Sequence, residues 1–88
     1  MISESDKATI LKYAKKYNLS KVILFGSSIE REDTNDIDIG IKGIRPELFF
    51  KFYGELLLAL TKRIDIVNLD KDNSFTKLVE KEGIILYG

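Results

Sequence analysis

This sequence predicts an α+β fold, a mixed β-sheet packed against helices in the order α-β-β-α-β-α-β, and three observations carry it. Val22-Ile23-Leu24-Phe25 is a short, continuous, partly β-branched run ended by Gly26, as a buried strand requires. Asp36-Ile37-Asp38-Ile39-Gly40-Ile41 alternates with period two, and Ile64-Asp65-Ile66 repeats the pattern. Before, between and after these runs, apolar residues recur at helical spacing.

The elements follow in order. Ser3 with Asp6 reads as a capping box in which Asp replaces Glu, and Ile10, Leu11, Ala14 and Tyr17 then form one helical face opposite Lys12, Lys15 and Lys16. Asn18 closes this helix ahead of the first strand, and a polar loop runs from Ser27 to Asn35. The second strand is followed by Pro46, which suits a first helical turn, and by a helix from Glu47 to about Thr61 with Gly54 as its weak point. Arg63-Ile64-Asp65-Ile66-Val67 is a third strand. Asn73 or Ser74 caps a last short helix, Gly83 fits its C′ position, and Ile84-Ile85-Leu86-Tyr87 adds a final strand. A loop between strands one and two allows antiparallel pairing, whereas the helix between strands two and three implies a right-handed crossover and parallel pairing.

Composition narrows the chemistry. The 88 residues contain no Cys, His or Trp, so thiol nucleophiles, disulfides, imidazole bases and the usual zinc sites are excluded. Fourteen basic residues balance fourteen acidic ones, which argues against a nucleic-acid or acidic-membrane partner. Lys12, Lys15, Lys16 and Lys21 make a basic face without interleaved aromatics, the pattern of a solvated helix. No repeat, linker or composition shift divides residues 1–88, so one domain is expected. The start of the chain has neither a basic nor an apolar leader region and the longest apolar run is Leu56 to Leu60; the expectation is a cytoplasmic protein with no membrane span.

Asp is disfavoured in strands, so two at alternate positions need a reason. For that pair alone, a solvated sheet face is as good a reason as any site. Asp65 changes the weighing, because three carboxylates then fall on one face if strands two and three are neighbours. At about 4 Å and an effective dielectric of about 20, each anionic pair repels by roughly 4 kcal/mol. A divalent cation removes that conflict, and an oxygen-only donor set suits Mg²⁺ or Mn²⁺, which characteristically bridge carboxylates and a substrate phosphate. Gly26-Ser27 leaves the first strand in a turn whose backbone N–H groups can face an anion, although Gly-Ser alone is also an ordinary turn.

Phe25-Gly26-Ser27, then Asp36-Ile37-Asp38-Ile39, then Ile64-Asp65-Ile66, resembles the signature of the DNA polymerase β nucleotidyltransferase superfamily, in particular the minimal nucleotidyltransferases (MNT) of prokaryotes, over Val22 to Val67. The resemblance implies a polymerase β palm-like fold. It assigns Gly26 and Ser27 to the nucleotide phosphates and Asp36, Asp38 and Asp65 to the metals and the catalysis. It implies transfer of a nucleoside monophosphate, with ATP the expected donor, to an acceptor hydroxyl with loss of pyrophosphate. Family members of this kind are often antitoxins paired with a helical HEPN-domain toxin, so such a protein is the expected partner and acceptor, with a homodimer as the alternative. Two departures from the family pattern stand out: a shorter run from Ser27 to Asp36, and Ser28-Ile29-Glu30-Arg31-Glu32 in place of Arg-x-Arg-Gly. Arg31, flanked by acids, reads as a solvated charge.

Leu48, Phe49, Phe52, Tyr53, Leu56, Ala59 and Leu60 form one apolar arc on the long helix, which Phe50 and Leu57 widen beyond a surface helix's usual stripe. Either a partner covers this extra width or the small domain wraps the helix more fully. The competing function is therefore a catalytically inactive module of the same fold that neutralises a partner by binding alone.

Overall fold

The computed structural model describes residues 2–26 and 36–88. Helix α1 (Glu4–Lys16) leads into strand β1 (Lys21–Phe25), and β2 (Asp36–Lys42) is followed by a 3₁₀ turn (Pro46–Leu48) and helix α2 (Phe49–Ala59). Strand β3 (Arg63–Asn68), helix α3 (Ser74–Glu82) and strand β4 (Ile84–Tyr87) complete the order expected from the sequence. The four strands form one sheet in the order β3-β2-β1-β4. β1 pairs antiparallel with β2 and with β4, and β2 pairs parallel with β3.

The two sheet faces differ, because strand side chains alternate. Val22, Leu24, Ile37, Ile39, Ile41, Ile64 and Ile66 meet Ile10 and Ala14 of α1 and Phe52 and Leu56 of α2 in the main core. On the opposite face, α3 brings Val79 over Ile23 and Leu69, with Phe25 and Val67 packed alongside in a second, smaller core. α3 and the β3–α3 connection thus cover part of that face, and the acidic residues share it.

Three local expectations need correction. Ser3 does cap α1, accepting from the Asp6 N–H at 3.2 Å, but the Asp6 carboxylate does not serve the cap. It is buried, and it accepts from the Thr61 hydroxyl at 2.7 Å and the Thr61 N–H at 3.3 Å, tying the start of α1 to the turn after α2. The long helix is shorter than Glu47–Thr61: Pro46 opens a 3₁₀ turn, α-helix begins at Phe49, and Leu60 is already extended with ψ 155°. Gly83 is itself the C-cap of α3 with φ −76°, so a left-handed backbone is not what it supplies. Its role is close approach, since a Cβ there would collide with the Ile23 side chain. The last helix otherwise starts as read, with Asn73 and Thr76 forming a reciprocal capping box.

Candidate active site

Strand register decides what the acidic residues can do together. Phe25 on β1 faces Asp38 on β2, and Asp38 faces Asp65 on β3, so the three side chains stand in one row across the sheet. Asp36 and its β3 neighbour Arg63 form the next row on the same face. Asp38 is half-buried while Asp65 is exposed. Burial, followed by the charges of Asp65 and Asp36, raises the Asp38 carboxyl above the usual carboxylate range. A side-chain hydrogen bond with Asp65 adds to that upward shift.

Asp36 is engaged differently, accepting from Arg63 Nε at 3.1 Å in a solvent-exposed ion pair. Among the described residues, no three acidic groups stand close enough to hold a single metal ion as they are placed. The donor chemistry nevertheless fits a hard divalent cation. The Asp38–Asp65 pair is an oxygen-only set whose mutual repulsion a bound positive charge would relieve.

Gly26 closes the row from the β1 side. Its φ of +72° is a left-handed conformation that glycine adopts freely, and a Cβ there would lie 2.6 Å from Asp38 Oδ2. Gly26 therefore rests directly on the half-buried Asp38 carboxylate. Ser27 and Arg31, with the loop to Asn35, lie outside the described residues.

Two hollows flank the row. Asp36, Asp65 and Arg63 share one of about 340 Å³ with Ile64, Tyr53 and Leu57 of α2, and the Tyr53 hydroxyl donates to the Ile64 carbonyl at 3.1 Å. The other, of about 450 Å³, opens beside Gly26 between β1 and α3. Reading the sequence strand by strand missed Arg63 and Tyr53 as neighbours of the acids. Arg63 had a signal, since its place two residues before Asp65 puts it level with Asp36. Tyr53 had none, because its reach depends on where α2 crosses β3.

The model of the polymerase beta nucleotidyltransferase family matches residues 8–88. The chain belongs to that family. Among solved structures, the fold is similar to a crystal structure of the MntA–HepT toxin–antitoxin pair, with TM-score 0.73, 21% identity, and coverage of 98% of this chain and 73% of that one. It is similar also to a toxin–antitoxin structure with AMP-PNP (TM-score 0.72, 22% identity, 93% and 73% covered). A third similar structure is a tri-AMPylated HEPN toxin from Shewanella oneidensis in complex with its MNT antitoxin (TM-score 0.72, 22% identity, 94% and 70% covered). No curated protein sequence matches the chain. These likenesses establish the nucleotidyltransferase fold, and with it the palm-like sheet that the sequence motifs imply.

Outside the acidic row, Phe50 is 82% exposed, Leu58 89% and Leu57 50%. The arc of α2 is thus wider than its core contacts need. Leu58, the most exposed of the three, was absent from the sequence reading. No helix among the described residues is long and apolar enough to cross a membrane.

Proposed function

We propose that residues 1–88 act as one minimal, cytoplasmic nucleotidyltransferase domain that transfers a nucleoside monophosphate, AMP from ATP, to a hydroxyl on a partner protein. The reading rests on the register that sets Asp38 beside Asp65 and under Gly26, in a chain of the nucleotidyltransferase family. In the reaction, the acceptor oxygen forms a bond to the α-phosphorus while the bond to the pyrophosphate oxygen breaks, pyrophosphate leaves, and the acceptor hydroxyl releases its proton to water. Gly26 and Ser27 receive the triphosphate, the missing Cβ of Gly26 letting the backbone pack directly against Asp38. Asp36, Asp38 and Asp65 are the residues that would hold Mg²⁺ or Mn²⁺. When bound, such ions would neutralise the phosphate charge and make the acceptor hydroxyl more acidic. Arg63 pairs with Asp36 at the solvent-exposed end of the acidic face, and the Tyr53 hydroxyl donates to the strand that carries Asp65.

The acceptor is best sought on a HEPN-type helical protein, since the similar solved structures include complexes of antitoxins with such toxins. That pairing makes this chain the antitoxin. A second reading is favoured by one observation: Phe50 and Leu58 on α2 are more exposed than a core helix needs. On that reading the chain is inactive and neutralises a partner, or a second copy of itself, through α2 alone.

Calorimetric titration of ATP with Mg²⁺ into the wild type and into Asp36→Ala/Asp38→Ala, with and without EDTA, separates the two. Metal-dependent binding lost in the double variant is expected. No binding at millimolar ATP would transfer the function to the binding module.

A further inference from the structure

The hollow between β1 and α3 is lined by Phe25, Gly26, Phe75, Leu78, Glu82 and Gly83, with Val79 at its floor. Its walls are apolar and partly aromatic. Phe75 meets Phe25 edge-on, ring centroids 5.8 Å apart and planes at 79°. Phe75 is 48% exposed and Leu78 49%, so both turn substantial apolar surface towards the opening rather than into the core. One charged side chain stands on the wall, Glu82 in the last turn of α3. Glu82 is itself exposed, and a carboxylate at this wall repels phosphate and accepts hydrogen bonds from N–H or O–H donors.

Position adds the decisive constraint. Gly26 belongs both to this hollow and to the surface of Asp38, and Phe25, on the hollow's wall, is the strand partner of Asp38. A nucleotide whose phosphates lie on the glycine turn therefore has the acidic row on one side and the aromatic hollow on the other. We infer that this hollow seats the base of the donor nucleotide, and that Glu82 selects a base carrying an exocyclic amino group. The inference rests on the donor-site reading above and adds where the base goes and which group is read. Phe75 supplies the apolar face against which a base packs, and the Glu82 carboxylate accepts from the amino N–H. A carbonyl at the same position would face the carboxylate with lone pairs only, leaving both groups unpaired.

The test compares binding of ATP, ITP and inorganic tripolyphosphate, each with Mg²⁺, to the full chain and to Glu82→Gln and Phe75→Ala. ITP differs from ATP in bearing a carbonyl where ATP has its amino group. One charge-assisted hydrogen bond predicts that ATP binds about tenfold tighter than ITP. Glu82→Gln, whose amide both donates and accepts, should bring the ratio close to about one. Phe75→Ala should weaken ATP about tenfold, the order of one base–aromatic contact, and leave tripolyphosphate unchanged. That unchanged affinity doubles as the control for folding. Tripolyphosphate binding as tightly as ATP would overturn the base seat while leaving the phosphate site standing. Equal affinity for ATP and ITP in the wild type, or an undiminished preference in Glu82→Gln, would overturn the role of Glu82. Failure of all three ligands to bind would overturn the donor-site reading and the base seat with it.

Discussion

Replacing Asp38 by Asn should make the protein more stable, and the size of the gain follows from strand geometry. Asp38 and Asp65 are direct partners on neighbouring parallel strands, whose backbones lie about 4.8 Å apart. Two full charges at about 5 Å repel by about 3 kcal/mol at an effective dielectric of about 20. Asp65 is exposed and solvent screens the pair, so about 1 kcal/mol is the realistic penalty at neutral pH. The sign with pH follows from the raised Asp38 carboxyl. A group that binds its proton more tightly when folded contributes stability in acid, and that contribution is lost as pH rises through its folded-state value. The advantage of Asp38→Asn should therefore be full at pH 7.5 and shrink towards pH 4. Urea unfolding followed by circular dichroism in EDTA reads it directly: with a slope of about 1 kcal/mol per molar, the midpoint should rise by about 1 M. Millimolar Mg²⁺ should stabilise the wild type and narrow the gap, because an ion that binds only the folded state adds to its stability. A variant no more stable than the wild type at pH 7.5, or equally advantaged at both pH values, would refute the idea that these carboxylates oppose one another.

Other substitutions test other parts of the fold. Gly54→Ala, in the middle of α2 with open space where the methyl would go, should add about 0.5–1 kcal/mol and raise the thermal midpoint by several degrees. Gly26→Ala should destabilise by about 1–2 kcal/mol, since it combines a left-handed backbone with a Cβ pressed on Asp38 Oδ2, and should abolish ATP binding in the same calorimetric assay. Asp6→Ala leaves the Thr61 hydroxyl and N–H without their buried acceptor and should cost about 2–3 kcal/mol in urea unfolding. The Tyr17 phenol, raised to about 12 by burial and by its hydrogen bond to Glu55, contributes stability that is complete below pH 10 and declines as pH rises towards 12. Tyr17→Phe should remove that alkaline decline, measured as unfolding midpoint against pH.

The sequence was most readable where a single period dominated. Isoleucines alternating with aspartates defined β2 and β3, the glycine after Phe25 ended β1, and the pairing of β1 with β2 and of β2 with β3 followed from which connections held a helix, whereas the place of β4 beside β1 did not. Nearest-neighbour rules failed where a side chain served a distant partner. Asp6 looked like part of its own helix cap because three residues separate it from Ser3, yet its carboxylate reaches the far end of α2, a contact no local pattern encodes. Gly83 looked like a left-handed stop because helices often end that way, and the demand upon it comes instead from Ile23 on another strand. For the candidate site, alternation placed the acids on one face. It did not reveal that Arg63 holds Asp36, or that α3 leaves an aromatic hollow beside Gly26, since both depend on how elements from different parts of the chain are laid together.

The sheet order also bears on how the molecule comes off the ribosome. β1, an early strand, has one edge against β2 and the other against β4, which is the last to be synthesised. Until β4 arrives, a nascent chain presents the backbone edge of the apolar stretch Val22–Leu24 unpaired, and open strand edges are templates for association with other chains. Closing that edge requires contact between residues far apart in sequence, a slow event compared with helix formation. The interval between translation of Phe25 and arrival of Tyr87 is thus a window of aggregation risk, and slowing elongation after β3 should lengthen it and lower soluble yield.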